Sequence, residues 1–313
     1  MQPQHRIVLA FVIIILIVGG ALWWIPFHDL SKGQLAIIGE TNGGRSIYLL
    51  NPVFRSWHRL PTSNLNPYHI AWSPDGKKIA FTYSINNPNI SLYDLPVTGI
   101  AIMNLENGQT QQLYRPPSNE TLDAVTWSPD GQSLVFDVWE NAALTAIRKL
   151  NIQTGNIQST AFPKSLQPPY FGVDHLEAAQ NNDYVIGGSG IYIAPSDLKD
   201  LRPLREPGYL GSFFLTPDEK EITIACSQSD FCSYSIDTGE LTKTYPGALT
   251  DYGYLGGGNW SYDEKDVVYL LNGGGEEDPQ YIMLADIEMK AKYVIYKQQM
   301  GFVVWQLAWC SAN

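Results

Sequence analysis

The chain has 313 residues, 44% of them apolar, 12% aromatic and only 16% charged, with 27 Gly and 20 Pro. That is the composition of a turn-rich globular protein built on sheets, not of a disordered or mainly helical one. Its 31 acidic and 20 basic side chains leave a formal charge of −11, which repels phosphate backbones and argues against nucleic acid as a partner. The three cysteines form no Cys-x-x-Cys and no zinc-type Cys/His spacing, so neither structural zinc nor thioredoxin-like chemistry is supported.

The first predicted element is an apolar run. Ile7 to Ile25 contains no charged residue, and its 19 residues reach about 28 Å at helical rise, close to the hydrocarbon thickness of a bilayer. Trp23 and Trp24 suit the membrane interface, and Pro26 stops the helix. Residues 1–33 therefore read as a single-pass N-terminal membrane anchor with a short linker. Arg6 precedes the span and puts the body of the chain outside the cytoplasmic membrane. A secretory signal peptide cut near Gly19-Gly20-Ala21 is the alternative, and it would release a secreted or periplasmic protein.

From residue 34 onward the chain repeats itself. "AWSPDGKKIAF" (Ala71 to Phe81) returns as "TWSPDGQSLVF" (Thr126 to Phe136), and weaker copies follow as "FFLTPDEKEITI" (Phe213 to Ile224) and "NWSYDEKDVVYL" (Asn259 to Leu270). "LEAAQNNDYVIG" (Leu176 to Gly187) is a worn copy and "LAWCSAN" (Leu307 to Asn313) a terminal one. Equivalent positions 72, 127, 178, 215, 260 and 309 are spaced by 55, 51, 37, 45 and 49 residues, the range of propeller blades.

Each copy joins an inner strand A to a strand B through a tight turn. Pro74 fixes the first corner, Asp75 bonds the turn backbone and Gly76 takes the left-handed position, while Trp72 ends strand A and packs between blades. Between the copies lie apolar strand, polar turn, strand segments, several with Gly at the turn as in Asn107-Gly108, Thr154-Gly155 and Thr238-Gly239. These supply strands C and D, and four antiparallel strands make a unit.

The first unit lacks its own strand A, since it opens on the B-like "QLAIIGE" from Gln34, whereas Trp305 to Cys310 ("WQLAWC") is an A-like strand with no followers. The two complete each other. The expected fold is all-β: a six-bladed β-propeller over residues 34–313 whose C-terminal strand closes the first blade and leaves no open sheet edge in the ring.

Trp-Ser-Pro-Asp-Gly followed by Ile-Ala-Phe resembles the TolB-type, WD-like propeller repeat, also found in the propeller domains of tricorn and prolyl oligopeptidase-like enzymes. The resemblance covers residues from about 34 to the end. It implies a non-catalytic binding or scaffold module with protein partners, within an envelope complex.

No cofactor or catalytic residue is expected. "GGSGI" from Gly187 lacks the last Gly of a nucleophile elbow, and His58, His69 and His175 are too dispersed for a His-ligated metal. Glu276, Glu277 and Asp278 are weak candidates for calcium, because they lack the alternating ligand spacing of a calcium loop and read better as a solvated hairpin tip. Two other functions stay open: a propeller enzyme of lactonase or cyclotransferase type with its site in the central channel, and a carbohydrate- or cell-wall-binding propeller. Cys226 and Cys232 flank a short B-to-C hairpin in the fifth unit and either bridge across it or stay as two buried thiols.

The candidate binding surface is set by loop length. The A-to-B and C-to-D turns share one face and are short, whereas the other face carries the segments Ser84–Gly99, Arg115–Asp123, Asp137–Leu144, Ala161–His175, Pro246–Gly258 and Asn272–Gln280. Those segments hold ten Asp or Glu against only Arg115 and Lys164, and carry Tyr93, Trp139, Tyr170, Phe171, Tyr252 and Tyr254 as candidate partner-binding aromatics.

Overall fold

The computed structural model describes residues 34–310 except 42–43, 52–55, 86–96, 142, 163–174, 180–182, 188–189, 196, 198–201, 206–212, 250–253, 262–263, 273–278, 288–290 and 300. The apolar run 7–25 and the acidic tip Glu276, Glu277 and Asp278 lie outside the described residues, as do Tyr93, Tyr170, Phe171 and Tyr252. No helix occurs among the described residues, and so none there is long and apolar enough to cross a membrane.

Strands follow one another as antiparallel neighbours in six sheets. Blade 1 contains β1 (Leu35–Thr41), β2 (Gly44–Asn51) and β3 (Ser56–Arg59). Blade 2 contains β4 (Leu65–Trp72), β5 (Lys78–Ile85), β6 (Gly99–Asn104) and β7 (Thr110–Tyr114). In blade 3 the inner strand is split into β8 (Glu120–Thr121) and β9 (Val125–Trp127), followed by β10 (Ser133–Glu140), β11 (Ala143–Asn151) and β12 (Ile157–Ala161).

Blade 4 is β13 (His175–Ala178), β14 (Tyr184–Gly187), β15 (Ile191–Ala194) and β16 (Arg202–Arg205). Blade 5 is β17 (Phe213–Leu215), β18 (Glu221–Ala225), β19 (Phe231–Ser235) and β20 (Leu241–Tyr245). Blade 6 is β21 (Tyr254–Trp260), β22 (Asp266–Asn272), β23 (Tyr281–Asp286) and β24 (Ala291–Lys297). The last strand, β25 (Val303–Trp309), returns to pair with β1, Leu35 opposite Trp309, and gives blade 1 the order β25-β1-β2-β3. The expected closure is therefore present.

Six apolar clusters fill the six seams between blades, and side-chain alternation assigns residues to them. In β1, Leu35 and Ile37 pack toward Val268 and Leu270 of blade 6, while Ala36 and Ile38 pack toward Ile79 and Phe81 of blade 2. Both sides of a middle strand are buried, which is why "LAIIG" reads as a continuous apolar run. The Trp of the repeat adds a directional tie. Trp72 donates its indole N–H to the Ala308 carbonyl of blade 1 at 3.1 Å, and Trp127 donates to the Ala71 carbonyl of blade 2 at 3.1 Å. Trp260 reaches the Thr223 hydroxyl of blade 5 at 2.9 Å.

The Ser-Pro-Asp-Gly turn is a closed hydrogen-bond unit. Ser73 Oγ donates to Asp75 Oδ1 at 2.6 Å and accepts from the Lys78 amide at 2.9 Å, while Gly76 sits at φ 67°. Ser128, Asp130, Ser133 and Gly131 repeat the arrangement, again with φ 67°. In the weaker copies the same left-handed corner falls on Glu219 (φ 55°) and Glu264 (φ 58°), where a β-carbon meets steric resistance.

The ring ends meet at one such corner. The Ser73 amide donates to the Lys78 carbonyl, the Ser128 amide to Ser133, the Thr216 amide to Glu221 and the Ser261 amide to Asp266; the Cys310 amide donates to the Gln34 carbonyl at 2.9 Å in the equivalent place. Chain entry and chain exit thus replace the A-to-B turn of blade 1.

Candidate functional site: the two faces of the ring

The ring has a turn face, bearing the A-to-B and C-to-D corners, and a loop face, bearing the B-to-C and D-to-A connections. Inner strands run from the loop face to the turn face. Near their loop-face ends four of them carry an extra residue, seen as register shifts in β25 against β1, β4 against β5, β21 against β22, and in the split of β8 and β9 along β10. Such bulges re-aim the side chains beside them.

In blades 1 and 2 the extra residues are Trp305 and Tyr68. Between their rings lies the Arg45 guanidinium, 4.0 Å from the Trp305 centroid and 4.3 Å from that of Tyr68, with Arg45 Nε donating to Glu40 Oε2 at 3.1 Å. Arg45 is buried, but Trp305 stays 39% exposed and so presents a ring to solvent on a fixed cationic base. The sequence marks Trp305 only as a strand residue; nothing in a period-two pattern singles out the one residue that a bulge turns outward.

In blade 3 the bulge is held by a buried carboxylate. Asp137, fully buried, accepts from the Asp123 and Ala124 amides at 2.9 Å each, and its other oxygen takes the indole N–H of Trp139. Burial raises its pKa to about 6 against the lowering effect of those bonds. Trp139 is accordingly half-buried, packed against the cluster between blades 3 and 4, with its N–H engaged.

Two expected loops are corrected here. Asp137–Leu144 is not a long loop, because β10 extends through Glu140 and β11 starts at Ala143, leaving a tight hairpin with Asn141 at φ 52°. Pro246–Gly258 is likewise shortened, since Tyr254 already pairs with Asn272 at the start of β21. In both places cross-strand pairing carries the ladder into residues expected as loop.

Cys226 and Cys232 form a disulfide across the β18–β19 hairpin, with Cα atoms 5.6 Å apart. The hairpin tip is further fixed to the next connection by the Asp230 carboxylate, which accepts from the Gly247 amide at 2.9 Å. Cys310, just after the closing strand, is half-exposed and takes no part in a disulfide.

The turn-face half of the channel holds a cavity of about 180 Å³ lined from all six blades, among others by His69, Trp127, Glu177, Glu219, Asn259 and Trp309. Glu177 keeps a small contact with the channel but is surrounded by protein, and burial with the nearby Glu219 charge pushes it up to about 7. Glu219 is raised too, by burial and then by Asp218. Neither was a sequence candidate. Glu177 adjoins the Ala178 that replaces the repeat's Trp, and Glu219 occupies the turn's Gly position; a carboxylate at each was the available signal. Among the described residues no group of three or more His, Cys, Asp or Glu is placed to hold a metal ion.

No family model matches this chain, and no curated protein matches it by sequence. Solved structures do. TolB from Acinetobacter baumannii aligns over 90% of this chain and 67% of its own, with TM-score 0.65 and 17% identity. A chain of a nidogen/laminin complex aligns over 90% of this chain and 99% of its own, TM-score 0.64, 11% identity. An oligogalacturonate lyase in complex with manganese aligns over 86% and 74%, TM-score 0.55, 14% identity. The fold is thus the TolB-type six-bladed β-propeller, and at these identities the likeness concerns the fold alone.

Proposed function

We propose that this chain is a membrane-anchored, extracytoplasmic propeller that binds a protein partner through its loop face without catalysing a reaction. The observation that carries this reading is the exposed Trp305 ring, stacked on a buried Arg45 at the loop-face mouth of a closed, rigid ring. A rigid aromatic on a fixed base supplies contact area at little entropic cost. The Cys226–Cys232 bridge agrees with an oxidising compartment. TolB and nidogen, which share the fold, are consistent with a protein partner in general.

The test is crosslinking in intact membranes and identification of what co-purifies, repeated with Trp305→Ala and Tyr254→Ala. Capture should fall at least tenfold with the melting temperature shifted by a few degrees at most. Undiminished capture by both variants, or capture lost through turn-face substitutions instead, would overturn the reading. Trp139→Ala is a poor probe, because it strips a hydrogen bond from a buried carboxylate.

A second reading rests on the channel cavity. Glu177, held near neutrality, suits proton transfer at physiological pH, and oligogalacturonate lyases share the fold. The described channel residues do not supply the donor set for manganese, since only two carboxylates are gathered there. Turnover of lactones or oligogalacturonides that disappears in Glu177→Gln would favour this reading over the first.

A further inference from the structure

Resting on the anchored reading above, we infer that the turn face is the membrane-proximal face and that the loop face, a strand length further out, is the surface offered to partners. The argument begins at Gln34. Its carbonyl accepts from the Cys310 amide in the same way that Lys78, Ser133, Glu221 and Asp266 accept at the A-to-B corners, so the chain enters the ring on the turn face. From there β1 runs toward the loop face and ends at Thr41.

Only residues 26–33 separate the apolar run from Gln34, and eight residues span at most about 28 Å when fully extended. A seven-residue strand adds about 23 Å between the two faces. The tether reaches the turn face first, and it is too short to pass around the ring and leave the loop face against the bilayer.

Charge decides whether that face adheres or merely hovers. Among the described residues, the turn-face segments 73–78, 105–109, 128–133, 152–156, 216–221, 236–240 and 264–266 carry ten Asp or Glu against four Lys. Anionic headgroups repel such a surface. The turn face is therefore held near the membrane by the tether and kept off it by its own carboxylates.

The experiment uses the full chain in vesicles of phosphatidylcholine with one fifth phosphatidylserine. In a Cys310→Ser background, which leaves the disulfide in place, a donor fluorophore is attached at Gln153→Cys on the turn face or Ser118→Cys on the loop face, both exposed positions. Energy transfer to headgroup acceptors should be clearly greater from position 153, by twofold or more. Equal transfer, or greater transfer from 118, overturns the orientation. Flotation of the vesicles after a carbonate wash is measured first: protein left behind shows that the anchor itself has failed, and that failure is distinct from a reversed orientation.

Discussion

At the scale of single residues, the corner position of the repeat turn gives the clearest test. Gly76 and Gly131 occupy a left-handed conformation that Glu219 and Glu264 share at some cost. An L side chain there costs about 1–2 kcal/mol, and the extra freedom of Gly in the unfolded chain returns about 0.5–1 kcal/mol of that. Glu264→Gly should therefore stabilise the protein by under about 1 kcal/mol, helped by removal of repulsion from Asp218 and Glu221. Gly131→Ala should destabilise it by a similar amount, and urea midpoints at constant m-value distinguish the two.

Glu177 makes a pH prediction at the same scale. Its folded pKa of about 7 lies above the ordinary carboxylate value, so the folded state holds a proton that the unfolded chain has released between about pH 4.5 and 7. The stability it contributes is present below that window and lost as pH rises through 7, on the order of 3 kcal/mol at most. Asp137 acts in the same direction with its own pKa of about 6. Thermal melts should show stability falling from pH 5 to 8, and Glu177→Gln should flatten the upper part of that fall; an unchanged slope would show that Glu177 is not the titrating group.

Among elements, the disulfide hairpin and the inner strands behave differently. The Cys226–Cys232 bridge closes a short loop, worth about 2 kcal/mol by restricting the unfolded chain. Intact mass after alkylation of the folded protein without reductant should show at most one adduct, at the half-exposed Cys310, and three after reduction and unfolding. Two or more adducts without reductant would exclude the bridge.

Element order was legible because four of the six inner strands end in chemistry that only a corner needs: Ser or Thr, Asp, and a residue in the turn's Gly position. The worn fourth copy, with Ala179 in place of the Ser or Thr, keeps only the backbone bond from the Ala179 amide to the Asp183 carbonyl. What stayed hidden were side-chain directions that depend on tertiary register. Asp137 in "FDVWE" reads as the polar member of an alternating strand, yet it is buried because the neighbouring inner strand bulges to bring two amides to it. Trp305 is turned outward by the same kind of insertion. A bulge has no composition of its own here, so these two features of the loop face could be found only in three dimensions.

For the whole molecule, the seams are unequal. Indole ties cross from blade 2 to 1, from 3 to 2 and from 6 to 5, whereas Ala178 and Leu215 stand where blades 4 and 5 would place their Trp. Among the described residues the fourth blade's two seams are held mainly by apolar contact, with Arg202 donating to the Ile236 carbonyl of blade 5 at 3.0 Å. Hydrogen exchange should release the amides of β13 to β16 before those of β4 to β6. Trp72→Phe, which removes a tie but keeps the ring, should cost about 1–2 kcal/mol and speed exchange at the blade 1–2 seam. Uniform exchange across all blades would refute the ranking.

The meeting of Gln34 with Cys310 also governs the order of events in biosynthesis. β1 precedes the strands of the other five blades and its inner neighbour β25 follows them, some 270 residues downstream, so blade 1 waits unfinished while the rest of the ring is made. That waiting edge stays open until β25 emerges and completes the first blade. Deleting β25 therefore leaves every other blade in an unclosed ring, with β1 free to pair with another copy.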